Sequence, residues 1–226
     1  MSVVKRVKLF LVFGVVVMLV SSVALVGLLR FVPAPISAFM LHKHIDDLIS
    51  GNGYRSIDHR WVNRSQISKY AFAAVIAAED QRFYQHYGFD FDAIYKAYKH
   101  NMSGGKLRGA STISQQVAKN LFLSPSRSFV RKGFEVWFTL LIETLWNKKR
   151  ILEMYLNVAE FGDHLYGIEA ASRHYFHVSA RRLSARQAAL LAATLPNPEK
   201  LKADRPSTYL LGRQKWILRQ MRNLND

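Results

Sequence analysis

Residues 109–123 have the sequence GASTISQQVAKNLFL, in which small and hydroxyl side chains lead into apolar residues at helical spacing. This spacing predicts a helix over 113–122. Backbone N–H groups and hydroxyls are free at such a helix start, and Gln115, Gln116 and Lys119 follow about one turn later, so the segment could hold a phosphate. The same pattern is also typical of a Ser/Thr-capped helix that packs an amide face on a neighbour.

Upstream, residues 79–90 have the sequence EDQRFYQHYGFD, and Glu79 and Asp80 end an apolar helix predicted over 70–78. A carboxylate at the end of a buried apolar stripe is partly desolvated, which raises its pKa and suits it to accept a proton near neutral pH. An ordinary polar helix terminus gives the same pattern. His86 fits a hydrogen-bonded structural histidine, and since no second His stands at metal spacing, no metal cage is predicted.

The chain is strongly basic, with 32 Lys and Arg against 16 Asp and Glu in 226 residues, a formal net charge of +16. This charge points to nucleic acid, an anionic membrane surface or a phosphorylated substrate. Nine of the cations lie between residues 106 and 150 beside only two acids. An anion is expected to bind there, although a solvated basic face near anionic lipid head groups explains the charge equally well.

RKGFE at 131–135 lies within this basic part. Arg131 and Glu135 are four residues apart and could form a simple surface ion pair on a helix. The alternative is a binding site in which Arg127 and Lys132 face a pyrophosphate and Glu135 orients it or a sugar.

Composition and periodicity favour one mostly helical domain after residue 60. Half of the residues are apolar, which argues against disorder, and the absence of Cys excludes disulfides, thiolate zinc sites and a Cys nucleophile. KKRILEMYLNVAEFG at 148–162 resembles an amphipathic helix with a mainly structural role. Further helices are predicted over 134–146, 151–156, 185–195 and 209–221, and loops near 104–105, 124–126, 161–163 and 196–198.

Residues 9–29, LFLVFGVVVMLVSSVALVGLL, contain no charge over 21 positions. As a helix they extend roughly 30 Å, the thickness of a bilayer core, so a retained anchor is favoured over a cleaved signal. Lys5, Arg6 and Lys8 precede the span and predict a cytoplasmic N-terminus, which Arg30 weakens without reversing. The main domain then lies outside the cytoplasm, where nucleic acid is no longer an expected partner.

Five stretches, in this order and at these separations, resemble the signature motifs of the peptidoglycan glycosyltransferases, whose lysozyme-like domain polymerises lipid II. They are EDQRFYQHYGFD at 79–90, GASTISQQVAKNLFL at 109–123, RKGFE at 131–135, KKRILEMYLNVAEFG at 148–162 and RQAALLAATLPNPEKL at 186–201. The resemblance covers about 61–218, and five ordered motifs are far more specific than any one of them. Because few residues follow the last motif, the resemblance is to the monofunctional type of glycosyltransferase family 51, without a transpeptidase domain.

The resemblance implies a mainly α, lysozyme-like domain with a mobile jaw subdomain at about 84–108, whose aromatic side chains suit a membrane interface. The implied organisation is a cytoplasmic N-terminus (1–8), a transmembrane helix (9–29), a membrane-proximal linker (30–60) and a glycosyltransferase domain (61–226).

The resemblance also assigns roles to residues. The general base falls on Glu79 and a second carboxylate on Glu135, while Asp80, Phe83 and His86 shape the cleft. The residues implied to hold the donor's pyrophosphate and sugar are Ser111, Gln116, Lys119, Arg127 and Lys132, with Arg131 a weaker candidate.

The implied reaction is inverting transfer from a polyprenyl-pyrophosphate-linked glycan to the 4-hydroxyl of lipid II, which forms a β-1,4 bond and releases polyprenyl pyrophosphate. No required cofactor and no metal ligands are predicted, although a divalent cation, Mg²⁺ or Mn²⁺, could assist at the pyrophosphate. Expected partners are lipid II, the nascent strand, membrane lipids and proteins of cell division or elongation. The expected location is the outer, periplasmic side of the bacterial inner membrane.

Three alternatives remain at this stage. A lysozyme-like hydrolase would use Glu79 as an acid on finished wall and gives the basic cluster no role. A silent scaffold would tolerate Glu79→Gln. A membrane-anchored polyanion binder would show steep salt dependence and no preference for lipid II.

Overall fold

The structure is a computed structural model that describes residues 3–51, 53–104, 109–126 and 128–224. Within these ranges the chain forms ten α-helices, three short strands and two single-turn 3₁₀ helices. The α-helices are α1 (Val3–Leu29), α2 (Ala38–Ser50), α3 (Lys69–Glu79), α4 (Phe91–Met102), α5 (Ile113–Phe122), α6 (Phe129–Leu145), α7 (Lys148–Val158), α8 (Ile168–Phe176), α9 (Ala185–Thr194) and α10 (Thr208–Asn223). The strands are β1 (Asp58–His59), β2 (Glu160–Gly162) and β3 (Leu165–Tyr166), and the 3₁₀ turns are Arg64–Gln66 and Ala180–Arg182.

Two groups of helices form the domain. In one group α9 packs on both α3 and α10, and α10 also contacts α3; in the other, α5 packs between α6 and α7. The strands form a small sheet of order β1-β3-β2, in which β1 is parallel and β2 antiparallel to β3. Helix α3 is apolar on almost every face, and its residues 71, 72 and 74–77 are buried, so it forms the centre of the core.

Helix α1 docks on α6 near its C-terminal end. Ser22, Val26 and Leu29 are buried at this contact, and the indole N–H groups of Trp137 and Trp146 donate to Ser22 Oγ and to the Val26 carbonyl at 3.1 and 2.8 Å. Most other apolar side chains of α1 are exposed. Val4–Leu29 is the one helix among the described residues that is long and apolar enough to cross a membrane.

The mainly helical prediction is confirmed. Predicted helices at 70–78 and 113–122 correspond to α3 and α5, while α6, α7, α9 and α10 differ from their predicted ranges by one to five residues at their ends. Helix α2 lies within residues 30–60, the segment expected to be a membrane-proximal linker.

Helices α4 and α8 were not predicted from periodicity. The apolar side chains of α4 recur at helical spacing, and this stripe was overlooked; it is exposed, and only Ala97 of α4 is buried. Asp90 caps the start of α4, and Asp92 and Lys99 complement its dipole. The loop expected at 161–163 is wrong at its start, because residues 160–162 form β2 by pairing with β3. A three-residue strand is too short to show an alternating pattern.

Candidate active site

Glu79 ends α3 and points into the cleft between the two helix groups. Its side chain is only 15% exposed. Gln116 Nε2 donates to Glu79 Oε2 at 3.1 Å, and Arg213 Nη2 lies 3.4 Å from Oε1. The hydroxyl of Tyr155 donates to Gln116 Oε1 at 3.1 Å, which fixes the amide so that its N–H₂ faces the carboxylate.

Burial raises the pKa of Glu79 above that of an ordinary glutamate. The Gln116 hydrogen bond and the positive charges of Arg213 and Lys119 act against this rise. A carboxylate in this setting is a stronger base than a solvated one, and it is the residue type that proton abstraction requires.

Space for a substrate adjoins Glu79. A cavity of about 990 Å³ is lined by Ala78, Glu79, Gly109, Ser111, Gln116, Pro196, Tyr209, Gly212, Arg213 and Trp216. A second cavity of about 490 Å³ shares Glu79, Ser111 and Trp216 with the first and continues towards Arg82 and Asp90. Both cavities meet at Glu79, so the carboxylate lies within a longer cleft rather than at the bottom of a closed pocket.

A group of cations, here called the cation cluster, lies on α5 and α6 and consists of Lys119, Arg131 and Lys132. Glu135 is 3% exposed and accepts from Arg131 Nη1 at 2.6 Å and from Lys132 Nζ. Three cations around one carboxylate leave a net charge of +2. The expected Arg131–Glu135 pair therefore forms, but it is a buried pair shared with Lys132.

Lys119 is the member of the cation cluster that also interacts with Glu79. Burial lowers the pKa of Lys119; the charges of Glu135 and Glu79 raise it, and those of Arg131 and Lys132 lower it further. Lys119 thus experiences both carboxylates at once, and its ammonium group lies 5.3 Å from the centre of the Phe39 ring in α2.

Asp80 and His86 hold the site together. His86 Nε2 lies 2.9 Å from Asp80 Oδ1, and the Ile113 amide donates to Asp80 Oδ2 at 3.0 Å. Asp80 therefore ties the first turn of α5 to the end of α3, which keeps Gln116 beside Glu79. The ammonium group of Lys148 donates to the His86 carbonyl at 2.7 Å and anchors the same loop to α7.

The structure brings Glu79, Ser111, Gln116 and Lys119 together and places Arg131, Lys132 and Glu135 at the neighbouring cluster. Arg127 lies outside the described residues. Residues 105–108 of the expected jaw also lie outside them. Of the jaw aromatics expected at an interfacial surface, Tyr87, Phe91, Tyr95 and Tyr98 are exposed and Phe89 is half-buried.

Sequence reasoning missed the contribution of α10. Tyr209, Gly212, Arg213 and Trp216 line the cleft although they lie at least 130 residues from Glu79 in sequence. Their spacing of three and four residues places them on one helical face, and that spacing was the available signal.

A buried carboxylate beside a cation cluster, on a helical domain attached to a membrane-length helix, is typical of a membrane-anchored enzyme that acts on an anionic substrate. The Transglycosylase family model matches residues 46–222, and the chain therefore belongs to the transglycosylase family. A biosynthetic peptidoglycan transglycosylase from Pasteurella multocida is 54% identical over 215 residues, covering 95% of this chain and 86% of the relative. Relatives of the same name from Klebsiella oxytoca and Pseudomonas fluorescens are 54% and 53% identical, covering 88% and 91% of this chain and 83% and 85% of theirs.

Proposed function

We propose that this chain polymerises lipid II into β-1,4-linked glycan strands of peptidoglycan. The observation that carries the proposal is Glu79, which is buried in the cleft, hydrogen-bonded to Gln116 and in electrostatic contact with Lys119 of the cation cluster. The name shared by its relatives supports peptidoglycan as the product.

In this reaction the acceptor is lipid II and the donor is the growing glycan, joined at its reducing end to a polyprenyl pyrophosphate. Glu79 accepts the proton of the acceptor 4-hydroxyl while that oxygen attacks the anomeric carbon of the donor. The new C–O bond forms on the face opposite the leaving pyrophosphate, so the α-linkage is inverted to β. The electron pair of the broken bond leaves on the pyrophosphate.

The cation cluster stabilises the charge that develops on the leaving group. Lys119 and Lys132 supply mobile ammonium groups and Arg131 a planar fork, and we assign Arg127 and Ser111 to the same donor site. Glu135 holds Arg131 and Lys132 in place. A divalent cation, Mg²⁺ or Mn²⁺, would be carried mainly by the pyrophosphate, since the described residues contain no group of three metal-binding side chains.

The hypothesis that the chain is a glycosidase fits this geometry less well. Hydrolases of that type use two carboxyl groups, one of which acts as acid and the other as base or nucleophile. Here the second carboxylate, Glu135, is already paired with two cations inside the protein. An alcohol leaving group needs an acid, whereas a pyrophosphate needs cations, and cations are what the site offers.

We further propose that α1 anchors the domain on the outer face of the bacterial inner membrane, with its N-terminus in the cytoplasm. Both substrates carry lipid tails, so a docked anchor keeps the cleft at the surface where they reside. The exposed apolar side of α1 is available to cell-division or elongation proteins.

The test uses full-length protein in detergent with labelled lipid II, and product is resolved by size. Glu79→Gln is expected to reduce polymer formation by at least about 100-fold because a general base is lost. Binding of a phosphate-bearing donor mimic should persist, since the cation cluster is intact. The matched control is Glu199→Gln, which changes the same residue type at an exposed position; undiminished turnover of Glu79→Gln would contradict the assignment.

A further inference from the structure

Helix α10 carries exposed cations outside the site described so far. Lys215, Arg219 and Arg222 are exposed, and they form no ion pair or side-chain hydrogen bond within the described ranges. At 3.6 residues per turn, their spacing of four and three places them in one line along the helix. We call this line the α10 strip.

The α10 strip borders the cleft. Gly212, Arg213 and Trp216 on the same helix line the cavity beside Glu79, and Leu210 and Ile217 are buried on another face. At about 100° per residue, the strip lies next to the cleft-lining face on the side opposite Arg213. Its cations line neither cavity but are exposed beside the cleft-lining face, which places them at the outer lip of the cleft.

The strip is separate from the cation cluster. The cluster belongs to α5 and α6, whereas α10 packs on α3 and α9; the anchor α1 packs on α6. Between residues 173 and 222 the chain has eleven Lys and Arg and only two acids. Such an excess of exposed charge attracts anions to the adjoining cleft.

We propose that the α10 strip binds the carboxylates of the stem peptides carried by the substrate. This inference rests on the proposed function. The pyrophosphate is assigned to the cation cluster, and the sugars of the glycan are held along the cleft; the peptide carboxylates are the remaining anionic groups of lipid II. An acidic peptide that projects from a sugar in the cleft meets Lys215, Arg219 and Arg222 at its lip.

The experiment compares lipid II bearing free stem-peptide carboxylates with lipid II in which those carboxylates are amidated. Wild-type protein is expected to prefer the free carboxylates by about three- to tenfold in kcat/KM, as several exposed ion pairs allow. The triple variant K215Q/R219Q/R222Q should lose this preference and treat both substrates alike. The control R181Q/R182Q/K200Q removes the same charge from exposed positions outside α10, and it should keep the preference.

Two sources of the carboxylates are separated by single-turnover coupling, in which either the donor or the acceptor is amidated. A preference confined to one arm supports the proposal and identifies which substrate the strip contacts. If the triple variant loses the same factor of kcat/KM on free and amidated lipid II, and does so only in vesicles that contain anionic lipid, the strip binds lipid head groups and the proposal is overturned. If wild-type protein polymerises free and amidated lipid II equally well, only this inference is overturned. If wild-type protein polymerises neither substrate, the proposed function is overturned as well.

Discussion

At the scale of single residues, burial acts on two groups of opposite charge in the same site. It raises the pKa of Glu79 and lowers the pKa of Lys119, because both charged forms lose hydration. Each group also stabilises the charge of the other. The pKa of the proposed base therefore depends on the charge of the proposed phosphate ligand, and the reverse also holds.

These shifts predict a bell-shaped dependence of kcat/KM on pH. Activity should fall on the acid side as Glu79 is protonated, at a pH above the ordinary glutamate pKa of about 4.3. It should fall on the alkaline side as Lys119 loses its proton, below the ordinary lysine value of about 10.4. Rates at constant ionic strength would measure both limbs.

Lys119→Arg provides the control for this profile. Arginine stays charged at all accessible pH values, so the alkaline limb should move upward while the acid limb persists. An acid limb of the wild-type protein below about pH 4 would contradict the assignment of Glu79 as base.

The motifs assign Glu79, Lys119 and Glu135 to the proposed site, but they do not indicate the environment of these residues. The burial of Glu135 between Arg131 and Lys132 depends on how α6 packs against α5. The approach of Arg213 to Glu79 depends on packing between α3 and α10. Contacts across such distances in sequence leave no local pattern.

At the scale of elements, most of the predicted helices pack an apolar stripe into the core, whereas the overlooked helix α4 leaves its stripe exposed. Helix α5 begins and ends as its pattern indicates, because Thr112 and Gln115 form a capping box before the stripe. Helix α4 was overlooked although its apolar side chains recur at helical spacing, and the structure leaves this stripe exposed instead of burying it in the core.

The junction between α1 and the domain depends on Arg150. Its guanidinium donates to the Leu29 carbonyl at 2.7 and 3.1 Å and to the Val32 carbonyl at 2.5 Å, and it pairs with Glu153 at 2.9 Å. The last carbonyls of a helix lack hydrogen-bond donors within the helix, and Arg150 of α7 donates to the carbonyl of Leu29, the last residue of α1.

Arg150→Met should weaken this junction by about 2 to 3 kcal/mol, because the Leu29 and Val32 carbonyls lose their donor and partly buried Glu153 loses its ion-pair partner, keeping only the Arg64 amide at 2.7 Å. Thermal unfolding, and proteolysis within residues 30–37, would measure the loss. Arg150→Lys should recover only part of it, since an ammonium group lacks the planar fork. Lys149→Met, at the exposed neighbouring position, is the control, and an equal effect there would refute the specific role of Arg150.

Strand β2 contains a half-buried carboxylate, Glu160. Burial, together with the negative charges of Glu199 and Asp163, raises the pKa of Glu160 to about 7, although the positive charges of Lys43 and His164 act to lower it. The Oε1 atom of Glu160 has no hydrogen-bond partner among the described residues. Because the folded-state pKa exceeds the unfolded value of 4.5, its contribution to stability is full below about pH 4.5 and is lost as pH rises through about 7.

Glu160→Gln should therefore stabilise the protein at pH 8 relative to wild type, by at most about 3 kcal/mol. At pH 4 the gain should vanish, because wild-type Glu160 is then already neutral. Denaturant unfolding at both pH values would measure the difference. The same change in stability at pH 4 and pH 8 would show that Glu160 does not titrate in this range.

At the scale of the whole molecule, charge and apolar surface are distributed for work at a membrane. The net charge of +16 includes the cation cluster on α5 and α6 and the α10 strip on another flank of the domain. Helix α1 docks on α6, the helix that carries Arg131, Lys132 and Glu135. The proposed donor site is thus attached directly to the anchor, and this fixes its distance from the bilayer in which the polyprenyl tail resides.

The orientation of the chain gives the final prediction, and the absence of Cys makes it testable with single introduced thiols. Val4 and Lys200 are exposed and lie on either side of the predicted span. With Lys5, Arg6 and Lys8 holding the N-terminus inside, Lys200→Cys should react with a membrane-impermeant maleimide in intact spheroplasts and Val4→Cys only after permeabilisation. Neutralising Lys5, Arg6 and Lys8 leaves Arg30 as the nearest flanking charge, so part of the population should invert. Labelling of Val4→Cys in intact spheroplasts would contradict the proposed topology, because it would place the cleft on the side opposite the growing cell wall.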